Sequence, residues 1–430
     1  VEEVDLMNRL IKIMLIFLVL SSIPLAVSYA DKILIPMDLT QTDHLKAYGV
    51  AYWSLKQGRN VEWLLNYRGG SFMADYQEEL ADVCRLRGVS FDVIDFSQAA
   101  SIYKQIEDNN MEVVLLEKAP AIAIYTPPNK EPWDDAVTLA LTYAEIPYTT
   151  LWDEEVLLGE LQNYDWLHLH HEDFTGQYGK FYRSYSSALW YKQEVTTNEL
   201  MAKKLGYRKV PDEKKVVARA VKDYVSRGGF LFAMCSATET LDIALAAEGV
   251  DIVPQELDGD PVDPDCQERL DYSQTFAFTD FQVSTDAYKY EHSTIDTGPE
   301  KTAARMGLES DYFTLFDFSA KLDPVPTMLV QDHVSVVNGF MGQTTAFRKS
   351  LVKKYVTILG ETEGKDEVKY IHGNYGRGTW TFFGGHDPED YQHMVGDPPT
   401  DLSLHKNSPG YRLILNNILF PAAKKKERKT

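Results

Sequence analysis

The chain has 430 residues, 44% of them apolar and 25% charged, the mix of an ordinary globular protein rather than a disordered, collagen-like or disulfide-scaffold one. At about 150 residues per domain the length suits two or three domains. With 43 basic against 64 acidic residues the net charge is −21, a surface that repels phosphate backbones and speaks against nucleic-acid partners.

One segment is apolar enough to meet a bilayer. Met7-Asn-Arg-Leu-Ile-Lys12 gives a basic start, Ile13 to Leu20 carry no charge, and Ser28 and Ala30 are small residues ahead of a cut after Ala30. This is the pattern of a secretory signal peptide over 7–30, with Met7 as the initiator. The apolar run is short for a membrane span, so no stable transmembrane segment is expected after cleavage; a retained N-terminal anchor is the alternative. The expected location is periplasmic or extracellular. Cys84, Cys235 and Cys266 are the three cysteines, too few for a Cys-rich zinc framework. In an oxidising compartment they leave at least one thiol unpaired.

After the cut, Lys32 to Met37 reads as a buried strand. Leu45, Tyr48, Tyr52 and Leu55 share one helical face, and Gly58 suits a helix stop. Val61 to Leu65 is a second strand, followed by the turn Asn66 to Gly70, a helix near 74–86 and a strand Phe91 to Asp95. Strands separated by helices predict an α/β subdomain over 31–118 and a largely parallel sheet. A second series fills 119–422. It has strands at Ala121 to Tyr125, Tyr148 to Trp152, Trp166 to His170, Phe230 to Met234 and Thr379 to Phe383. Its helices run from Trp133 to Ala144, Asp212 to Arg227 and Tyr411 to Leu419. Between about 254 and 345 the pattern shifts to Pro, Asp and alternating aromatics, a β-rich insertion. Residues 423–430 form a short basic tail.

Ligands of open parallel sheets bind beyond the carboxyl ends of the strands, and reactive side chains collect at those ends here. Cys235 follows the apolar strand Phe230 to Met234 and precedes a helix, with Ser236 next to it. A sharp strand-to-helix turn is the geometry of a nucleophile elbow. A thiol at a helix N-terminus is expected to have a lowered pKa. His386 follows Gly384-Gly385 at the end of another strand, with Asp387 and Glu389 as carboxylates to orient it as a base. His170, His171 and Glu172 end a third strand and suit substrate contacts; Arg68, in the Asn66 to Gly70 turn, suits a carboxylate or phosphate. His168, His170, His171, Glu172 and Asp173 are also metal-capable. On a strand, however, His168 and His170 share a face that His171 does not, so no metal or other cofactor is expected. Asp258-Gly-Asp260-Pro-Val-Asp263-Pro-Asp265 does not fit EF-hand spacing and reads as a solvated turn.

The strand order, the Cys235 elbow and the late strand-borne His386 with Pro388-Glu389 resemble the class I glutamine amidotransferase-like superfamily. The resemblance implies a flavodoxin-like, three-layer parallel sheet over 119–422, with Cys235 as nucleophile and His386 as base. In that family the third member is a Glu two residues after the His. Here Asp387 intervenes, and Ala233 and Ala237 stand where glycines are usual. More closely, HLKAYGVAYW, LLNYRGGSF, HHEDFTGQ, FAMCSATET and GGHDPEDYQH are similar to secreted bacterial proteins often named asparagine synthetase B. The chemistry in that name calls for a Cys directly after the initiator Met and an ATP-binding Ser-Gly-Gly-x-Asp-Ser loop, and the sequence contains neither. The expectation is an exported cysteine-dependent hydrolase of a small amide or an envelope peptide or glycan. A non-catalytic envelope binding module and a metal-dependent hydrolase using His170, His171 and His386 are the alternatives.

Overall fold

The computed structural model describes residues 31–128, 135–297, 312–323, 327–340, 342–390, 396 and 398–423. The signal-peptide and basic-tail expectations, but for residue 423, lie outside them. Among the described residues no helix is long and apolar enough to cross a membrane.

The protein is α/β with two sheets. The first takes β1 (Lys32–Ile35), β2 (Val61–Leu65), β3 (Ser71–Asp75), β4 (Asp92–Ile94) and β5 (Glu112–Leu116) in the order β4-β1-β3-β2-β5. Every pairing in it is antiparallel, which corrects the parallel expectation for residues 31–118. The cause is the turn after β2. Asn66 (φ 61), Arg68 (φ 45), Gly69 (φ 76) and Gly70 (φ 87) all take left-handed conformations. The chain therefore reverses into β3, a strand the sequence pattern did not show, and the helix expected near 74–86 follows at Glu78–Arg87. A side chain at Gly69 would place its Cβ 2.4 Å from the Met37 carbonyl oxygen, so the turn closes on β1 only with glycine there.

Strand alternation splits the β1 side chains between two faces. Ile33 and Ile35 join the main core with α1 (His44–Lys56) and α2 (Glu78–Arg87), while Leu34 packs against α3 (Phe96–Asp108). Asp43 caps α1 by accepting from the Lys46 amide at 2.9 Å, and Asp95 and Gln98 form a reciprocal capping box on α3.

Among the described residues the second sheet has ten strands, in chain order β6 (Ile122–Tyr125), β7 (Thr149–Leu151), β8 (Trp166–Leu169), β9 (Phe230–Met234), β10 (Tyr312–Leu315), β11 (Val336–Asn338), β12 (Phe347–Arg348), β13 (Thr357–Glu361), β14 (Glu367–Tyr375) and β15 (Gly378–Phe383). The run β15-β9-β8-β6-β7 is parallel, as expected for this part. Beyond β15 the sheet continues antiparallel through β14, β13, β10 and β11. The insertion strands thus extend the sheet rather than form a separate unit. Residues 254–297 contribute isolated bridges and turns instead of strands.

Helices cover both faces of the parallel part. α4 (Ala136–Tyr143) and α8 (Pro409–Leu419) pack on the face of Phe230, Phe232 and Met234. α6 (Val210–Ser226) and α7 (Cys235–Ala246) pack on the face of Leu231 and Ala233; α5 (Leu189–Lys204) joins an aromatic cluster with Tyr178. Burial on both sides explains why β9 is continuously apolar. The core of the first sheet runs into α4 and α8 without a break. Arg412 of α8 is fully buried and donates to the carbonyl oxygens of Met37 (2.8 Å) and Gly69.

Candidate functional site

The carboxyl ends of β8, β9 and β15 lie side by side, with Leu169 opposite Ala233 and Met234 opposite Phe383 in the parallel register. Each strand then releases its reactive residue: His170 and His171, Cys235, and His386 after Gly384-Gly385. The Cys235 amide donates to the Gly385 oxygen at 3.1 Å, and the Ala237 amide to the His170 oxygen at 3.0 Å. Ser236 Oγ donates to the His171 oxygen at 3.0 Å. The three strand ends are therefore stitched together by backbone before any side chain is considered.

Cys235 sits at φ +49 as the first residue of α7. A non-glycine residue there is strained by about 1–3 kcal/mol and persists where the surroundings hold it. The Gln343 amide donates to its sulfur at 3.4 Å. The expected low pKa is not found. Burial pushes the thiol up to about 11, against the amides of Gln343, Thr344 and Ser236, which favour the thiolate. The side chain is 3% exposed, and desolvation outweighs the helix N-terminus. All three cysteines are free and buried.

The histidines form a ladder. His168 Nδ1 lies 3.0 Å from the Phe232 oxygen, His168 Nε2 lies 3.2 Å from His170 Nδ1, and His170 Nε2 lies 2.8 Å from His386 Nδ1. A carbonyl oxygen only accepts, so the hydrogen of His168 is on Nδ1. Burial lowers the His168 pKa and keeps the ring neutral. One hydrogen bridges each ring pair, His168–His170 and His170–His386, and links the three rings into one hydrogen-bonded chain. Asp135, the N-cap of α4, stands 3.4 Å from His168 Nε2 and 3.5 Å from His170 Nδ1. Burial pulls its carboxyl up, but His170 and His168 hold it well below the usual range.

Asp387 and Glu389 are not the orienters that their spacing suggested. The chain turns at Gly385 (φ 100) and carries Asp387 toward α8. There it accepts from Tyr411 Oη and Thr400 Oγ1, each at 2.8 Å, and from the Glu389 amide. Glu389 pairs with His405 at 3.0 Å. The ring of His386 is met by His170, from a different strand. Arg68 is engaged within the N-terminal unit, with Asp38 at 2.7 Å and Thr40 at 2.9 Å. Glu172 accepts from the His170 amide at 2.8 Å, and with His171 it lines a crevice of about 40 Å³ at the site mouth.

Several residues of the site escaped the sequence reading. Asp135 is the N-cap of a helix whose sequence pattern suggests a start near Trp133, ahead of it. Glu239 lies one turn after Cys235 on α7. It accepts from Ser293 Oγ at 2.9 Å and Thr344 Oγ1 at 3.0 Å, and burial together with Asp296 raises its pKa to about 8. His292 lies 3.1 Å from Asp173, whose carboxyl burial pulls up but His292 holds below its ordinary value. Residues 292–296 and 342–345 of the insertion thus close over the elbow, a placement no local pattern announces. The acidic run near 258 folds around Lys209, whose ammonium pairs with Asp251 (3.0 Å), Asp258 (2.9 Å) and Asp260.

Among the described residues three sets could hold a metal ion; one of them, Asp251, Asp258 and Asp260, is the cluster closed on Lys209. His170, His171 and His386, and separately Asp135, His168 and His170, each offer donor atoms within 4.8 Å of one another. Three histidine nitrogens suit zinc with one position left open.

No protein-family model and no curated protein matches the sequence. Solved structures similar to the chain include two cytoplasmic proteins of Salmonella typhimurium. Both are 11% identical over 71% of this chain, covering 100% and 99% of their own lengths at TM-scores of 0.33 and 0.34. A GH42 beta-galactosidase, also 11% identical, matches 72% of this chain and 31% of its own at a TM-score of 0.25. Similarity at this level assigns neither a fold family nor a function.

Proposed function

We propose that the protein is a cysteine-dependent acyl hydrolase of small amides or esters, on a flavodoxin-like domain of the class I amidotransferase-like kind. The observation that carries this is the strained Cys235 at the β9–α7 junction, hydrogen-bonded through its amide to the residue preceding His386. In the reaction the Cys235 proton passes to His386 Nε2 as sulfur attacks the acyl carbon. The amides of Ser236, Gln343 and Thr344 supply donors for the developing negative charge. The leaving amine or alcohol takes the proton from His386, and water then hydrolyses the thioester. His170, His168 and Asp135 position the base. A resting thiol, rather than a thiolate, means that His386 must act during attack. Residues 7–30 support action outside the cytoplasm, on a small-molecule or cell-envelope substrate.

The test is a panel of small amides and activated esters with the full chain, read by product release and by intact mass for a thioester on Cys235. Turnover is expected to vanish in Cys235→Ser and His386→Ala, and to fall about 100-fold or more in His170→Leu with an altered pH profile. Unchanged turnover in Cys235→Ser overturns the reading.

The second reading, a metal-dependent hydrolase, rests on the convergence of His170, His171 and His386. Metal analysis of the purified protein separates the two. Stoichiometric zinc, with activity lost to a chelator and restored by zinc in Cys235→Ser, favours the metal.

A further inference from the structure

At the opposite edge of the second sheet, beneath the amino ends of β9 and β15, lies a cavity of about 980 Å³. Its walls come from three parts of the chain: Val114 of the first sheet, Phe230 and Phe420 of the parallel domain, and Met328 of the insertion. Junctions between structural units are where ligand sites concentrate, and this volume is that of a drug-sized ligand site.

Two features of the wall point to a ligand. Arg227 and Arg377 both line the cavity and both are exposed. The Arg377 amide donates to the Ser226 oxygen at 2.9 Å, which sets the two arginines on neighbouring turns of chain. Neither guanidinium forms an ion pair among the described residues, although the protein carries a net charge of −21. Of the four acidic residues that line the wall, Asp165 is engaged with Lys118 at 3.3 Å and the Ala121 amide at 2.8 Å, and Asp323 with the Ser319 amide at 2.6 Å; Glu112 and Asp223 are the other two.

The second feature is His372. Its Nδ1 lies 3.0 Å from Thr381 Oγ1 and its ring meets Phe420 edge-on at 5.9 Å. Nε2 is buried with no hydrogen-bond partner among the described residues. An unpaired buried nitrogen is costly, and a small shift of the ring toward the cavity would let a bound polar group pair it. Burial lowers the His372 pKa to about 3, so the ring offers a neutral hydrogen bond and no charge.

We propose that this cavity binds an amphiphilic organic anion. Its carboxylate or phosphate is held at the rim by Arg227 and Arg377, whose guanidinium forks match the oxygens of either head group. Its apolar body lies against Phe230, Met328 and Phe420, and an uncharged polar group of that body meets His372 Nε2. The site is separate from Cys235 and does not depend on the hydrolase reading.

Isothermal titration calorimetry of the full chain with decanoate, decyl phosphate, decanol and decyltrimethylammonium tests this. Both anions are expected to bind and the cation to fail, the better anion identifying the head group. In Arg227→Ala/Arg377→Ala, anion affinity is expected to fall about tenfold or more while decanol is unchanged. ω-Hydroxydecanoate is expected to bind more tightly than decanoate, an advantage lost in His372→Leu. Cys235→Ser is expected to bind as the natural protein does, so failure of the hydrolase reading leaves this result standing. Equal binding of cation and anion, decanoate affinity unchanged by the arginine substitutions, or no binding of any probe overturns the proposal.

Discussion

A carboxyl group buried beside another carboxylate resists ionisation, and Glu239, with Asp296 close by, is held protonated up to about pH 8. Burial acts in the same direction on Glu213, also to about 8, and on Asp242, to about 6. At low pH these groups are protonated in both the folded and unfolded states. Above 4.5, the ordinary value for Glu, the unfolded chain ionises while the folded one keeps its proton, so stability falls as pH rises from about 4.5 to about 8. Asp135 and Asp173 have the opposite sign. Their lowered values contribute stability that is lost as pH falls below 3.8. Melting temperature is therefore expected to peak at about pH 4–5 and to decline toward pH 8. Glu239→Gln should flatten that decline and leave the acid limb unchanged, as scanning calorimetry across the range can show. A variant whose profile matches the natural protein's excludes Glu239 as the titrating group.

At the scale of elements, α8 is the strut between the two sheets. Arg412 reaches through it to the Met37 and Gly69 carbonyls, with Tyr48 Oη at 3.1 Å from Nε and Asp332 at 3.9 Å from Nη1. Arg412→Leu takes the guanidinium from the Gly69 carbonyl and leaves Asp332 with His333 and the Met37 carbonyl with His44. It is expected to destabilise the protein by about 3–5 kcal/mol, read as a lower denaturation midpoint; a loss below about 1 kcal/mol would show that the strut is dispensable. The helices and strands of the parallel part were legible because their apolar runs are continuous. Phe230–Met234 matches the sequence reading to the residue, as does Val61–Leu65 of the antiparallel sheet, and α6 and α8 differ from it by two residues or fewer at each end. β3 was not legible, since its run Ser71–Asp75 follows a turn whose left-handed residues include Asn66 and Arg68 rather than glycine alone. The strand ends placed Cys235, His170 and His386 together. The pairing of His386 with His170, rather than with Asp387 or Glu389, depends on neighbouring strands and on the turn at Gly385, neither of which sequence spacing encodes.

For the whole molecule, the boundary near residue 118 is clear in the sequence but not in the packing. Ile33, Tyr48 and Trp63 belong to the same core as Ile122, Leu141 and Ile414. Residues 31–118 expressed alone should therefore fail to give a cooperative thermal transition by circular dichroism, because the apolar faces of α1 and β1 lose the helices that cover them. A sharp transition in that fragment would make the N-terminal unit an independent domain.

Both sheets end on short strands. β4, β7 and β11, three of the four outermost, are three residues each, and the fourth, β5, is engaged at its far end where Leu116 bridges to Ala423 and the Glu117 amide reaches the Ala422 oxygen at 2.9 Å. A bare edge is a template on which another chain can add a strand, and its danger grows with its length. With β5 tied down at one end and the other edges only three residues long, neither sheet offers much purchase for such growth. The protein is thereby guarded against fibrous self-association by the brevity of its borders.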